Sequence, residues 1–242
     1  MKCETASDSQ QSPADLAPLL VIEGIDGSGK GTQGRLLQER LISDGLKVDF
    51  LSFPQYEQTF FGKLVGDFLN GKFGQLEDLH PFLISLLYAG DRFESRQRIL
   101  GAQQSSDIVI LDRYVPSNIA HQSAKISAPE RLQLQEWIEH IEYEIFGIPR
   151  PAHVILLDTP VEVSQELIAQ KGQRTYTTDK ADLQEANAPY LERVREVYQE
   201  LANEQNNWTV IEIVNEQGLR AIDDISLTIY RIVQKCLVLD DK

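Results

Sequence analysis

Three residues near the start of the chain combine a spacing and a chemistry that suit a bound phosphate group. Gly24, Gly29 and Lys30 follow the pattern G-x-x-x-x-G-K, between an apolar run and a helical pattern. Glycines let the loop backbone aim several N–H groups at one point, and the following helix adds its positive N-terminal end. Lys30 supplies a cation for the β- and γ-phosphates. The loop therefore predicts nucleotide binding, but it does not define the reaction.

The residue after the lysine departs from the usual form of this loop. Most such loops place Ser or Thr there to hold Mg²⁺, whereas this chain has Gly31, and Thr32 follows one position later. Thr32 remains a candidate metal ligand. We expect the ion to rely on water, nucleotide oxygens and a carboxylate from elsewhere in the chain.

An acid and a base stand side by side where a predicted strand ends, at Asp112 and Arg113. Adjacent side chains at a strand end diverge, so Asp112 can organise Mg²⁺ through water while Arg113 clamps a phosphate with its planar guanidinium. The alternative interpretation is a salt bridge between these two residues, followed by a helix cap.

Tyr88 and Arg92 lie four residues apart in a helical pattern, so they share one face of the helix. The ring could stack on a flat base while the guanidinium donates to a carbonyl at the edge of that base. The alternative is a core aromatic residue beside a surface arginine. Phe53 and Pro54 likewise either shape a pocket wall or simply end a strand.

Short apolar runs alternate with longer helical patterns along the chain. Continuous apolarity over four to seven residues is typical of parallel strands buried on both faces, and it occurs at residues 19–23, 48–53, 108–111, 153–157 and 208–214. The predicted helices are residues 32–44, 60–69, 81–103, 117–125, 129–146, 160–169, 183–203 and 219–235. This alternation predicts an α/β fold, a three-layer doubly wound parallel five-stranded sheet whose ligands bind at the carboxyl ends of the strands.

Composition bounds the class of protein. The 242 residues carry a net charge of −14, which argues against general nucleic-acid binding. Only two cysteines occur, so no disulfide framework is expected. The sequence contains no run of about 18 apolar residues, so no membrane-spanning helix is expected. We expect a cytoplasmic protein with a flexible N-terminal tail over residues 1–17 and a single domain over residues 18–238.

Four segments, GIDGSGKGTQ, FPQYE, LLYAGDRFE and DRYVPSNIAHQ, resemble the thymidylate kinase family in order and spacing, over most of residues 19–125. The resemblance implies a P-loop nucleoside monophosphate kinase fold. It implies transfer of the γ-phosphoryl group of ATP to dTMP with Mg²⁺, and a homodimer joined through helices.

The same resemblance assigns roles to individual residues. The donor ATP would be held by the loop residues Gly24, Asp26, Gly27, Ser28, Gly29, Lys30, Gly31 and Thr32. The acceptor dTMP would be held by Asp26, Phe53, Pro54, Tyr88, Arg92, Arg113, Ser117, Asn118, His121 and Gln122. In these roles Tyr88 stacks on the thymine, Arg92 reaches its carbonyl oxygen and Asn118 meets the ring N–H. Asp26 accepts a hydrogen bond from the sugar 3′-hydroxyl.

Catalysis is assigned to Lys30, Asp112, Arg113 and one further arginine. The polar segment near residues 170–182 resembles the lid of the family, and Arg174 is its candidate transition-state cation. The alternative is an ordinary exposed loop whose basic residues are solvated.

Two more positions depart from the family pattern. Gln55 stands where the family commonly has an arginine, which removes one phosphate clamp, and His121 replaces a tyrosine that helps to exclude ribose. His121 could equally be a neutral packing residue. Two other functions therefore stay open: a kinase for a different nucleoside monophosphate, and a nucleotide-binding regulator with reduced turnover.

Overall fold

A parallel five-stranded sheet forms the centre of the computed structural model. The structure describes residues 16–74, 79–170 and 187–239, and for residues 236–239 it describes only the backbone. The strands are β1 (Leu19–Glu23), β2 (Val48–Ser52), β3 (Ile108–Asp112), β4 (His153–Asp158) and β5 (Trp208–Glu212). Their order is β2-β3-β1-β4-β5, and every neighbouring pair is parallel. The order places β1, which leads into the phosphate loop, in the middle of the sheet.

Helices connect the strands. They are α1 (Lys30–Ser43), α2 (Phe60–Leu69), α3 (Pro81–Glu94), α4 (Arg96–Ser105), α5 (Val115–Ser123), α6 (Ala128–Glu139), α7 (Val161–Gln170), α8 (Ala188–Glu204) and α9 (Ile222–Leu239). A π-helical turn, His140–Ile145, directly follows α6. Two short strands, β6 (Val214–Asn215) and β7 (Gly218–Leu219), pair as a hairpin before α9.

Helices cover both faces of the sheet. Because side chains alternate along a strand, Leu19 and Val21 of β1 join one apolar cluster while Leu20 and Ile22 join another. The first cluster includes residues of α5, α6 and α8, and the second includes residues of α1 and α9. The predicted three-layer doubly wound fold is therefore confirmed.

Several predicted boundaries are wrong. The helix predicted at 81–103 is two helices that meet at Ser95, and the apolar periodicity hides the break because no Gly or Pro marks it. The helix predicted at 129–146 continues only as the π-helical turn after Glu139. The helix predicted at 219–235 begins at Ile222, since Leu219 pairs with Val214.

The remaining boundary differences are smaller. The strand predicted at 208–214 ends at Glu212. The helix predicted at 183–203 begins at Ala188, where the Asn187 side chain accepts a hydrogen bond from the Tyr190 N–H at 3.0 Å.

The predicted tail lies outside the described residues except for Leu16 and Ala17, and the predicted lid beyond Gln170 also lies outside them. The proposed domain limits stay a prediction. Among the described helices, none is both long and apolar enough to cross a membrane.

Candidate active site

The phosphate loop joins β1 to α1 through three glycines with positive φ. Gly24, Gly27 and Gly29 have φ of 146°, 81° and 85°, which are backbone conformations that residues other than glycine rarely adopt. A Cβ on Gly27 would also lie 2.5 Å from the Ser164 carbonyl oxygen on α7. Gly29 is the N-cap of α1 and offers no side chain to the first helical N–H groups. These N–H groups can therefore bind an anion.

Lys30 is buried at the first position of α1. Its Nζ donates to the Ile25 carbonyl oxygen at 2.7 Å, within the same loop. Burial, aided by the Arg113 charge, lowers the pKa of Lys30 to about 7, against the opposing effect of nearby carboxylates, first Asp26 and then Asp112. A bound polyphosphate would favour the charged ammonium and raise this pKa again.

Arg113 follows β3 in an unusual backbone conformation. Its φ of 68° makes it the one residue other than glycine with positive φ among those the structure describes. Its backbone N–H donates to Ile22, its Nη2 contacts Asp26 Oδ1 at 2.5 Å, and its Nη1 donates to Ser117 Oγ at 3.1 Å. The alternative of an Asp112–Arg113 salt bridge is wrong, because Arg113 pairs with Asp26 of the phosphate loop instead.

Asp112 points toward the phosphate loop. A Cβ on Gly31 would lie 3.1 Å from Asp112 Oδ2. The absence of a side chain at Gly31 therefore leaves room beside this carboxylate, at the first turn of α1. Thr32 lies on the same turn, where it is exposed.

Glu23 supports the segment after β3, and the sequence interpretation missed it. This fully buried carboxylate accepts hydrogen bonds from the Tyr114 N–H at 2.8 Å, Ser117 Oγ at 2.6 Å and the Tyr198 hydroxyl at 2.8 Å. Burial raises its pKa, and the hydrogen bonds from Ser117 act in the opposite direction. A lone acid at the end of an apolar strand was the signal that could have identified it.

A cavity of about 250 Å³ opens between the phosphate loop and helices α3 and α5. All ten predicted acceptor residues line it: Asp26, Phe53, Pro54, Tyr88, Arg92, Arg113, Ser117, Asn118, His121 and Gln122. Five of the eight predicted donor residues also reach it, namely Asp26, Gly27, Gly29, Lys30 and Gly31. Asp112 lines the cavity as well, so the predicted catalytic acid and the loop lysine face one space. Arg174 lies outside the described residues.

Arg92 is buried, so the alternative of a surface arginine is wrong. Its Nε and Nη2 donate to both oxygens of the fully buried Glu142, at 2.5 and 2.6 Å. Burial alone would lower the pKa of Arg92, but the charge and hydrogen bonds of Glu142 raise it. Asn118 joins this pair, donating from Nδ2 to Glu142 at 2.9 Å and to the Ser85 carbonyl oxygen at 3.0 Å.

His121 is a buried neutral residue in this site. The Tyr190 hydroxyl donates to the His121 carbonyl oxygen at 2.9 Å, so Nδ1–H donates to that hydroxyl at 3.0 Å. Nε2 then accepts from Arg113 Nη1 at 3.3 Å. Burial, followed by the Arg113 charge, lowers the pKa of His121 to about 3. His121 therefore holds Arg113 in place while it lines the cavity.

Gln55 is tied to the protein rather than directed at a ligand. Its Nε2 donates to the Ser52 carbonyl oxygen at 2.7 Å, and its backbone N–H donates to Asp91 at 3.0 Å. Arg98 Nη1 lies 3.3 Å from Gln55 Oε1. A cation therefore stands beside the position where the family commonly has an arginine.

The position of β1 explains why the site lies where it does. The central strand delivers the phosphate loop to the carboxyl edge of the sheet, beside the ends of β2 and β3, which is where ligands of doubly wound sheets bind. A phosphate loop that lines one side of such a cavity, on a five-stranded parallel sheet, defines the class of P-loop nucleoside monophosphate kinases.

Comparison with known proteins identifies the family within this class. The thymidylate kinase family model matches residues 22–222. Thymidylate kinase from Mycobacterium tuberculosis is 32% identical over 195 residues, covering 80% of this chain and 90% of that protein. A probable thymidylate kinase from Thermococcus onnurineus is 35% identical, covering 89% and 96%. The chain belongs to the thymidylate kinase family, as its motifs predicted.

A solved structure has the same fold. Thymidylate kinase from Candida albicans superposes with a TM-score of 0.68 at 23% identity, covering 91% of this chain and 92% of that one. The fold class predicted from the alternating apolar and helical patterns is thus confirmed independently of the motifs.

Proposed function

We propose that this protein transfers the γ-phosphoryl group of ATP to dTMP, which yields ADP and dTDP. One observation carries the proposal: Asn118 Oδ1 is buried without a hydrogen-bond partner among the described residues, and Asn118 lines the cavity that Lys30 also reaches. A buried unpartnered acceptor is costly unless a ligand donates to it. The N3–H group of thymine is a donor of this kind.

The acceptor base would be read by three side chains. Asn118 Oδ1 accepts from the thymine N3–H, Arg92 donates to the neighbouring carbonyl oxygen, and Tyr88 stacks on the ring. Cytosine presents an acceptor at N3 and an amino group at C4, so it would face the wrong partner at both positions. A polar site of this kind discriminates strongly against a base that leaves its groups unpaired.

The phosphates would meet beside Lys30. The loop N–H groups and Lys30 bind the donor, while Arg113, held by Asp26, binds the acceptor phosphate. An oxygen of that phosphate forms the new bond to the γ-phosphorus, and the bond to the β–γ bridging oxygen breaks with its electron pair leaving on ADP. Alignment and charge neutralisation provide most of the catalysis.

Mg²⁺ suits the carboxylate arrangement at this site. No cluster of three or more His, Cys, Asp or Glu side chains occurs in the described part of the chain, but Asp112 Oδ2 lies against Gly31 at the first turn of α1, 3.1 Å from the position of an added Cβ. Asp112 would hold the ion through water, with nucleotide oxygens completing its shell and Thr32 as a further candidate. When bound, Mg²⁺ neutralises charge on the transferring phosphates. Arg174 in the proposed lid would add a transition-state cation.

A panel of nucleoside monophosphates in a coupled ADP-release assay tests the proposal. We expect dTMP to be the preferred acceptor, and Asp112→Ala to abolish steady turnover while Asp223→Ala, an exposed acid on α9, leaves it intact. Faster use of AMP or CMP would replace the proposal with a different monophosphate kinase. Nucleotide binding without turnover would favour a regulator.

A further inference from the structure

Glu142 occupies an unusual position behind the base-binding side of the cavity. It lies in the π-helical turn His140–Ile145, a rare conformation that is frequent at functional sites. Its carboxylate is fully buried and receives three N–H groups, two from Arg92 and one from Asn118. All three of these groups donate, so Glu142 acts only as an acceptor.

Glu142 and the Ser85 carbonyl oxygen together fix the orientation of the Asn118 amide. A side-chain amide can present either its oxygen or its NH₂ group, depending on which orientation satisfies its neighbours. Here Nδ2 faces two acceptors, Glu142 Oε1 at 2.9 Å and the Ser85 carbonyl oxygen at 3.0 Å. The reversed amide would bring Oδ1 against both acceptors, so Oδ1 is held away from them.

We propose that Glu142 is a positioning residue for base selection, which orients the Asn118 amide so that the site accepts a ring N–H and rejects a ring acceptor. This inference rests on the proposed function, because it explains how that site would prefer thymine to cytosine. Glu142 does not touch the base itself. It acts through Asn118 and holds Arg92 as a donor.

The substitution Glu142→Gln tests this role because it changes the hydrogen-bonding character but hardly the shape. Arg92 contacts both oxygens of Glu142, and Asn118 contacts Oε1 as well, so a glutamine sets its NH₂ group against an Arg92 N–H in either orientation. Where that NH₂ group takes the Oε1 position, it also faces Asn118 Nδ2 and favours the reversed amide. The Ser85 carbonyl oxygen still opposes the reversal. We therefore expect partial rather than complete loss of base selection.

The measurement is an internal competition between dTMP and dCMP in one reaction, which gives the ratio of their kcat/KM values. Only folded enzyme contributes to this ratio, so partial unfolding of a variant cancels. We expect Glu142→Gln to lower the dTMP preference by about tenfold. The matched control is Glu144→Gln, an exposed acid on the same turn paired with Arg150, and it should keep the wild-type ratio. A Glu142→Gln ratio within about threefold of wild type overturns the proposal.

A second pair of variants covers the case in which Glu142→Gln does not fold, since it leaves the Arg92 charge buried without its partner. The same competition compares Arg92→Gln with Arg92→Gln/Glu142→Gln, where the ion pair becomes a neutral pair. A lower dTMP preference in the double variant supports the proposal, and equal ratios overturn it. Failure of the wild-type enzyme to use dTMP would instead refute the proposed function.

Discussion

Individual ionisable residues of the site owe their properties to burial more than to residue type. Lys30 would be a permanent cation in water, yet burial lowers its pKa to about 7. His121 would titrate near neutrality, yet burial lowers its pKa to about 3 and keeps the ring neutral. The site therefore gains charge only where a ligand or a neighbouring group stabilises it.

Nucleotide binding should accordingly protonate Lys30. At pH 8 a group with a pKa of about 7 is mostly neutral, and the ATP phosphates favour its charged form, so we expect uptake of close to one proton for each ATP bound. Titration calorimetry in buffers of different ionisation enthalpy measures this uptake. The variant Lys30→Met should lose it, and equal uptake in both proteins would contradict the assignment.

Acid should destabilise the protein partly through His121. Its folded pKa lies below the unfolded value, so the unfolded chain binds more protons and stability falls as pH drops below about 6.5. Between pH 6.5 and 5.5 this residue accounts for a loss of at most about 1.4 kcal/mol in the free energy of unfolding. Denaturant unfolding at several pH values should show a flatter profile for His121→Gln.

The control for this measurement is His140→Gln, which removes an exposed histidine. It should leave the wild-type pH dependence unchanged. A His121→Gln profile as steep as that of the wild type would show that other groups cause the acid sensitivity.

Among the secondary-structure elements, α7 lies in close contact with the phosphate loop. Gly27 has positive φ, and a Cβ there would lie 2.5 Å from the Ser164 backbone oxygen. The Ser164 hydroxyl also donates to the Asp26 carbonyl oxygen, which joins α7 to the loop. The position of the loop therefore depends on α7 as well as on β1 and α1.

A pair of glycine variants separates this packing effect from backbone strain. Gly27→Ala should raise the KM for ATP by more than about tenfold, because the loop or α7 must move to admit the methyl group. Gly45→Ala has a similar φ of 91° but open space around it, so it should cost about 1–2 kcal/mol of stability and leave the KM unchanged. Similar KM values for both variants and the wild type would contradict this account.

Across the whole molecule, a strong negative charge coexists with exposed apolar side chains on α2 and α3. The net charge is −14, while Phe60 and Leu83 are 64% and 65% exposed. Apolar surface of this kind is suited to an interface, and the charge opposes association of two copies. The homodimer expected from the family resemblance stays a prediction, and these helices are where we place it.

We expect the predicted dimer to tighten as salt rises, because screening reduces the repulsion between acidic copies. Leu83→Glu should dissociate it, whereas Leu219→Glu, on the hairpin before α9, should not. Sedimentation equilibrium at low and high salt measures both effects. A monomeric wild-type protein at every salt concentration would refute the prediction.

The sequence was sufficient to predict the family, the parallel sheet and most residues that line the cavity. Gly24, Gly29 and Lys30 are close together in the chain, so their spacing alone specifies a loop between a strand and a helix. The composition of the five apolar runs was likewise enough to predict that they are buried strands. Because the carboxyl ends of parallel strands meet at one edge of a sheet, the apolar run that precedes Asp112 and Arg113 was enough to place both residues beside the loop.

The pairing of residues that are distant in the chain could be identified only from the folded structure. Arg113 pairs with Asp26, His121 with Tyr190, and Arg92 with Glu142, which lies 50 residues further along the chain. Local spacing cannot predict such pairs, because each depends on which helices pack together and which polar atoms remain unsatisfied there. Glu142 is one acid among many on a polar helix, and only its burial beside Arg92 distinguishes it.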